Sequence, residues 1–214
     1  MIVTRLGHAA LLIETDRTRV LIDPGGFSDR WHGLTDLDAI LITHQHADHF
    51  DRDNTTPLVA ANPEARVLAE PAVVGMMDGS GAQTAEVGAK HEIGDLVIEV
   101  VGGEHAVIHE TIPRIGNVGF VLTEIGGTSL FHPGDSYAAV PTGVDLLALP
   151  ITAPWAKVGD TIDFALSVAA PRMIPIHDAI VSQSGRQIYM RMCSSVTGDD
   201  MQLDDPQPGE PYTL

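Results

Sequence analysis

Apolar residues along this chain fall in short runs broken by Gly, Pro, Asp and Asn, the spacing of β-strands joined by tight turns. Val3 to Gly7, Ala10 to Thr15 and Arg19 to Ile22 read as strands, with Asp16-Arg17 among the turn residues between them. Pro24-Gly25-Gly26 opens a loop that runs through Trp31, His32 and Gly33. Ala39 to Ile42 is apolar throughout and reads as a buried strand. Asn54 to Ala61 predicts a short helix closed by Asn62-Pro63, and Arg66 to Ala69 another brief strand. Pro71 to Asp78 predicts a helix that Gly79-Ser80-Gly81 ends. Glu92 to Gly102 predicts a hairpin turning at Gly94-Asp95, with Leu96 to Val101 as its second strand, and Gln187 to Val196 a further helix.

The second half repeats the first. With residue 114 placed under residue 5, forty residues align without a gap and ten are identical, among them Leu21/Leu130, Pro24/Pro133, Gly25/Gly134, Ala39/Ala148 and Thr43/Thr152. Apolar positions match as well, for example Leu11/Phe120 and Ile13/Leu122. Two β-rich halves of this kind bury their apolar faces by packing sheet on sheet with helices outside. Equivalent strand ends then meet along one edge, and a site built there draws on both halves.

Composition narrows the classes. A chain of 214 residues, 44% hydrophobic, can bury a sizeable core. A single domain over 1–214 is expected, with halves near 1–110 and 111–214. The formal net charge of −17 repels phosphate backbones, which argues against nucleic acid or an anionic membrane as partner. The lone cysteine, Cys193, excludes an internal disulfide and reads as a buried, inert thiol. No signal-like apolar segment opens the chain and no stretch is long enough to span a membrane, so a cytoplasmic protein is expected.

The chemistry concentrates in Thr43-His44-Gln45-His46-Ala47-Asp48-His49, directly after the strand Ala39 to Ile42. His44 and His46 lie two apart, on one side of an extended segment, and can grip one ion. Asp48 and His49 follow on a turn and can face a second. Imidazole and carboxylate together suit zinc, manganese or iron. The pattern His-x-His-x-Asp-His behind a hydrophobic strand resembles the metallo-β-lactamase superfamily. That resemblance implies an α+β fold, a four-layer αββα sandwich of two similar halves, in agreement with the repeat.

The resemblance also completes a ligand set. His105, just past the strand Leu96 to Val101, matches the third histidine of the first metal, with His109 as its rival and otherwise a pocket residue. Asp135, in Phe131-His132-Pro133-Gly134-Asp135-Ser136, matches the carboxylate that bridges two metals. His177 ends the apolar run Ile174-Pro175-Ile176 and matches the last histidine of the second metal. The implied cofactors are two divalent ions, zinc first, with Mn2+ or Fe2+ as alternatives: His44, His46 and His105 on one, Asp48, His49 and His177 on the other, Asp135 between. His8 resembles a histidine of the branch that includes ascorbate-6-phosphate lactonase; it reads either as a catalytic pocket residue or as a hydrogen-bonded core histidine. Asp23 reads as a carboxylate accepting the free N–H of a ligating imidazole, or as a plain turn residue. His132 reads as a supporting or core residue, and His32 and His91 as surface residues in loops. Phe27, Trp31 and Trp155 either wall a pocket or simply pack.

Taken together, these readings imply a dinuclear hydrolase in which a metal-bound hydroxide, formed because coordination lowers the pKa of water from ~16 to about 7, attacks a small ester, lactone or phosphodiester. Asp48 would ligate and also orient the nucleophile. The partner is a small-molecule substrate, and a homo-oligomer stays open. A redox site of the flavodiiron type would want glutamate at His46, true β-lactamases lack the carboxylate at Asp135, and nuclease branches carry extra domains and basic surfaces. A glyoxalase-type thioesterase keeps the same ligands and remains an alternative, as does a non-catalytic metal-binding module. Substrate choice falls to loops such as 25–35 and 152–159.

Overall fold

A computed structural model describes all residues except 197 and 199. In chain order the elements are β1 (Ile2–Gly7), β2 (Ala10–Glu14), β3 (Arg19–Ile22), β4 (Ala39–Ile42), α1 (Arg52–Ala61), β5 (Arg66–Ala69), α2 (Pro71–Met76), β6 (Gln83–Thr84), β7 (Lys90–Ile93) and β8 (Leu96–Glu104). They continue as β9 (Gly116–Glu124), β10 (Ser129–His132), β11 (Leu146–Pro150), α3 (Val158–Val168), β12 (Arg172–Ile176), α4 (Gln183–Ser194), β13 (Gln202–Leu203) and β14 (Pro211–Thr213). No described helix is long and apolar enough to cross a membrane.

The strands form two seven-stranded sheets, ordered β14-β1-β2-β3-β4-β5-β6 and β13-β12-β11-β10-β9-β8-β7. The repeat is visible in this order. From β1 to β6 and from β8 to β13 the first two junctions are antiparallel and the last three parallel. The register drifts, however: Val20 faces Ala39, whereas Leu130 faces Leu146. The sheets part between Thr84 and Lys90, ahead of the approximate midpoint near 110, because β7 and β8 join the second sheet.

Alternation along each strand builds the layers. Leu41 joins Ile13, Ile22 and Leu68 in a central core with Ile98, Phe120, Leu146 and Ile176 of the facing sheet. Its neighbours Ile40 and Ile42 point the other way, onto Leu58 of α1 and Val73 of α2. On the far side Leu147 and Leu149 meet Phe164 and Val168 of α3 and Cys193 of α4. The central strands are thus covered on both faces, which is why their sequences are apolar without interruption. The layers are those of the αββα sandwich.

Differences from the sequence reading have local causes. The first helix starts at Arg52 rather than Asn54 because the Asp51 carboxylate accepts from the amides of Asp53 and Asn54. The last begins at Gln183, capped by Ser182, and not at 187, and it carries the buried Cys193, whose thiol burial pushes up to about 11. His91 lies on β7 rather than in a loop, and its Nδ1 accepts from Arg66 Nη2 at 3.1 Å. The helix α3 and the edge strands β13 and β14 have no counterpart in that reading.

Candidate metal centre

The candidate ligands all leave the ends of strands. Thr43 to His49 follow β4, His105 follows β8, Asp135 follows β10 and His177 follows β12. The chain is bent sharply to aim them. Of the five described non-glycine residues with positive φ, three are His8 (50°), Asp23 (49°) and His177 (61°). Strained backbone gathered at one place is a mark of a functional site. Close approach is needed too: a Cβ on Gly25 would lie 1.7 Å from the Asp48 carbonyl oxygen, so only glycine lets the 24–26 turn back the metal loop.

Two groups of potential ligands result, each with donor atoms within 4.8 Å of one another: His44, His46, His105 and Asp135, and His8, Asp48, His49 and His177. Asp135 joins them, for its Oδ1 is 3.0 Å from His49 Nε2 and 3.2 Å from His177 Nε2, and its Oδ2 is 3.4 Å from His105 Nε2. Within the first group, His44 Nε2 and His46 Nδ1 are 3.0 Å apart. Nitrogens held 2.0–2.1 Å from one tetrahedral ion lie about 3.3 Å apart, so these spacings fit those of ligands around a metal ion.

The second nitrogen of four of these imidazoles is held by the protein. His49 Nδ1 donates to Asp23 Oδ2 at 2.7 Å, His105 Nδ1 to the Ala106 carbonyl at 2.6 Å, His177 Nδ1 to the Thr152 carbonyl at 2.6 Å, and His44 Nδ1 to Thr43 Oγ1 at 3.0 Å. With that nitrogen donating, the other presents its lone pair inward. His49 Nε2, His105 Nε2, His177 Nε2 and Asp135 Oδ1 are buried and lack any hydrogen-bonded partner of acceptable geometry. Four such orphans gathered at the Asp135 carboxylate are costly unless something satisfies them. Divalent cations do, and the donor set fits them.

His8 differs. Its Nδ1 accepts from the Ala179 amide (3.3 Å), so Nε2 carries the proton and donates to Asp48 Oδ2 at 3.1 Å. This arrangement makes His8 a clamp on Asp48, while its carbonyl accepts from the His177 amide at 3.0 Å. His109 is not brought in. It is exposed, its Nδ1 paired with Thr111 Oγ1 at 2.8 Å, because the chain turns outward after His105. Trp31 is wholly buried, with its indole N–H on the Gly25 carbonyl, and packs rather than walls a pocket. His132 bridges Ala9 O and the Gly134 amide, a supporting role, and His32 is exposed.

Several residues escaped the sequence reading. Thr43 donates to Asp23 while orienting His44. Asn117 holds the Asp135 amide at 2.9 Å. Thr152 receives His177 and donates to its carbonyl. Trp155, read from the sequence as a pocket wall or a packing residue, in addition donates its indole N–H to Asp135 Oδ2 at 2.9 Å. A signal existed, for the gapless repeat pairs Thr43 with Thr152 and His8 with Asn117, and all four support the centre.

Without cations the groups pair as ions. Burial opposes charge on His49, but Asp135 and Asp23 outweigh it and hold the ring well above its ordinary value. Burial likewise opposes charge on Asp135, and His49 with the contacts from His105 and His177 holds it well below the carboxylate range. His44 moves the other way, lowered by burial and then by His49. Binding of cations would replace these protons.

The sequence profile of the β-lactamase superfamily domain matches residues 2–177. Protein Rv0786c of Mycobacterium tuberculosis is 40% identical over 204 residues, covering 95% of this chain and 96% of that protein. A UPF0173 metal-dependent hydrolase of Carboxydothermus hydrogenoformans is 27% identical over 195 residues, 83% and 84% of the two chains. The crystal structure of the metallo-beta-lactamase fold protein YhfI from Bacillus subtilis superposes with a TM-score of 0.75 at 14% identity over 99% of both, and so shares the fold. The chain belongs to the β-lactamase superfamily domain family.

Proposed function

We propose that this metal-dependent hydrolase of the β-lactamase superfamily holds two divalent cations, zinc by donor type, and cleaves a small ester, lactone or phosphodiester. The observation that carries the reading is Asp135, one buried carboxylate within 3.0–3.4 Å of ligand nitrogens from both groups. Its two oxygens suit a bridge. His44, His46 and His105 would hold one cation; Asp48, His49 and His177 the other.

When bound, such cations lower the pKa of coordinated water to about 7 and polarise the substrate oxygen. The chain supplies orientation and a path for the proton. Asp48 is the least buried of the carboxylates at the centre, with 19% of its side chain exposed, so it can face both water and substrate. The N–H of His8 fixes one of its oxygens, which leaves the other free to orient the attacking water or take its proton. Trp155 donates to Asp135 and keeps that carboxylate from turning.

Metal analysis and turnover test this together. The native protein should bind about two zinc ions per chain and hydrolyse p-nitrophenyl acetate or bis(p-nitrophenyl) phosphate. His46→Ala should abolish turnover while the variant still folds. A stoichiometry of one, or full activity in that variant, refutes the dinuclear assignment.

A further inference from the structure

The surroundings of the centre deepen that hydrolytic reading, on which this inference rests. The loop after His105 carries Val107, Ile108 and Ile112, exposed by 58%, 36% and 48%. All three line a small recess together with His46 and His105, so an apolar wall stands directly against the first ligand group. On the side of the second group, Phe27 is 52% exposed and its ring centroid lies 5.1 Å from that of His8. Beyond Phe27 a recess of about 410 Å3, within the size range of ligand pockets, runs past Ala47, Phe50 and Met76 and also past Gln45 and the charged residues 51–53. Large apolar side chains are thus exposed on both flanks of one centre, where a ligand held by that centre could cover them.

Charge points the same way. The loops that bear ligands hold few cations for an anionic substituent. Arg114 is committed to Glu104 and the His105 carbonyl, and Arg186 of α4 to Asp178 and Asp205, while Arg52 lines the recess beyond Phe27 alongside two carboxylates, Asp51 and Asp53. The net charge of −17 adds a long-range penalty for multiply charged ligands.

We propose that the substrate is a neutral carboxylic ester or lactone with an apolar chain, seated across the centre between Phe27 and the Val107–Ile112 wall, and not a nucleotide- or sugar-like phosphodiester. Water adds to the carbonyl carbon and the C–O bond to the alcohol breaks; one of the water's two protons goes to the departing alkoxide, which leaves as alcohol, and the other to solvent, which leaves the acid as carboxylate. The test is a series of p-nitrophenyl esters, acetyl through octanoyl, with bis(p-nitrophenyl) phosphate alongside. We expect kcat/KM to rise about fourfold per methylene over the first additions, the ratio that ~0.8 kcal/mol per buried CH2 gives. The double variant I108S/I112S should flatten that rise. I125S, on the remote β9–β10 turn and 65% exposed, should retain it. Calorimetry on metal-free protein should show nonan-2-one, which cannot be hydrolysed, binding more tightly than propanone. Ester turnover indifferent to chain length, a phosphodiester preferred to every ester, or equal binding of the two ketones overturns this inference alone. No turnover of any of these by zinc-loaded enzyme overturns the hydrolytic reading as well.

Discussion

Replacing Asp23 by asparagine isolates one interaction at the base of the centre. Asp23 is fully buried and accepts three hydrogen bonds, from the Thr43 amide (2.8 Å), Thr43 Oγ1 (2.8 Å) and His49 Nδ1 (2.7 Å). Its φ of 49° is left-handed, a conformation asparagine tolerates as well as aspartate, so backbone strain does not enter. The amide can sit two ways. With its NH2 toward the Thr43 amide, two donors face each other in a buried place, and the fold loses about 1–3 kcal/mol. With its NH2 toward His49, the His49 proton must move to Nε2, the nitrogen aimed at the cation. Loss of such a supporting partner typically costs 10–100-fold in metal affinity. Zinc affinity by competition with a chromophoric chelator reads the second outcome. Thermal unfolding of metal-free protein reads the first, as a fall of about 2–4 °C per kcal/mol. A variant within twofold of the parent in affinity and within about 1 °C in melting temperature would falsify the role assigned to Asp23.

Three further outcomes follow from the geometry. His109→Ala should leave activity and zinc content unchanged, since the ring is exposed and bonded only to Thr111; a tenfold loss of turnover would restore it to the site. Trp155→Phe keeps the ring against Tyr137 but removes the donor to Asp135, so turnover should fall several-fold and its pH profile should shift; an unchanged profile would reduce Trp155 to packing. Metal-free protein should be most stable near pH 6.5, as thermal unfolding across pH would show. Burial lowers His44, His46, His8 and His132, so below 6.5 the unfolded chain takes up protons the native one refuses, and stability rises toward 6.5. Burial also opposes charge on His177, but Asp135 and Asp48 hold it up to about 9, so from 6.5 toward 9 the native chain keeps a proton the unfolded one has lost, and stability falls. Zinc should remove the alkaline decline, because the proton on His177 is then displaced.

What could be read from the sequence was whatever the chain settles locally. His44, His46, Asp48 and His49 sit within one loop behind one buried strand, and spacing alone brings them together. The choice between His105 and His109 could not be made that way. It depends on β8 running on to Glu104, which leaves His105 at the strand end, its amide bonded to the Ile115 carbonyl across the loop. The left-handed turns at His8, Asp23 and His177 were equally hidden, because none of the three is a glycine and no alternation of apolar residues reports a φ angle. Nor does any local pattern connect Trp155 to Asp135, twenty residues away. The common cause is that the centre lies where the two sheets meet. The His177 amide is held by the His8 carbonyl, and the Val118 amide by the Thr43 carbonyl, each bond joining one sheet's loops or strands to the other's. Neither half can complete the centre alone. Each places its strand ends, and the backbone bonds across the seam fix the angle at which the imidazoles converge. A change that loosens the packing of the two sheets should therefore weaken metal binding before it unfolds either one.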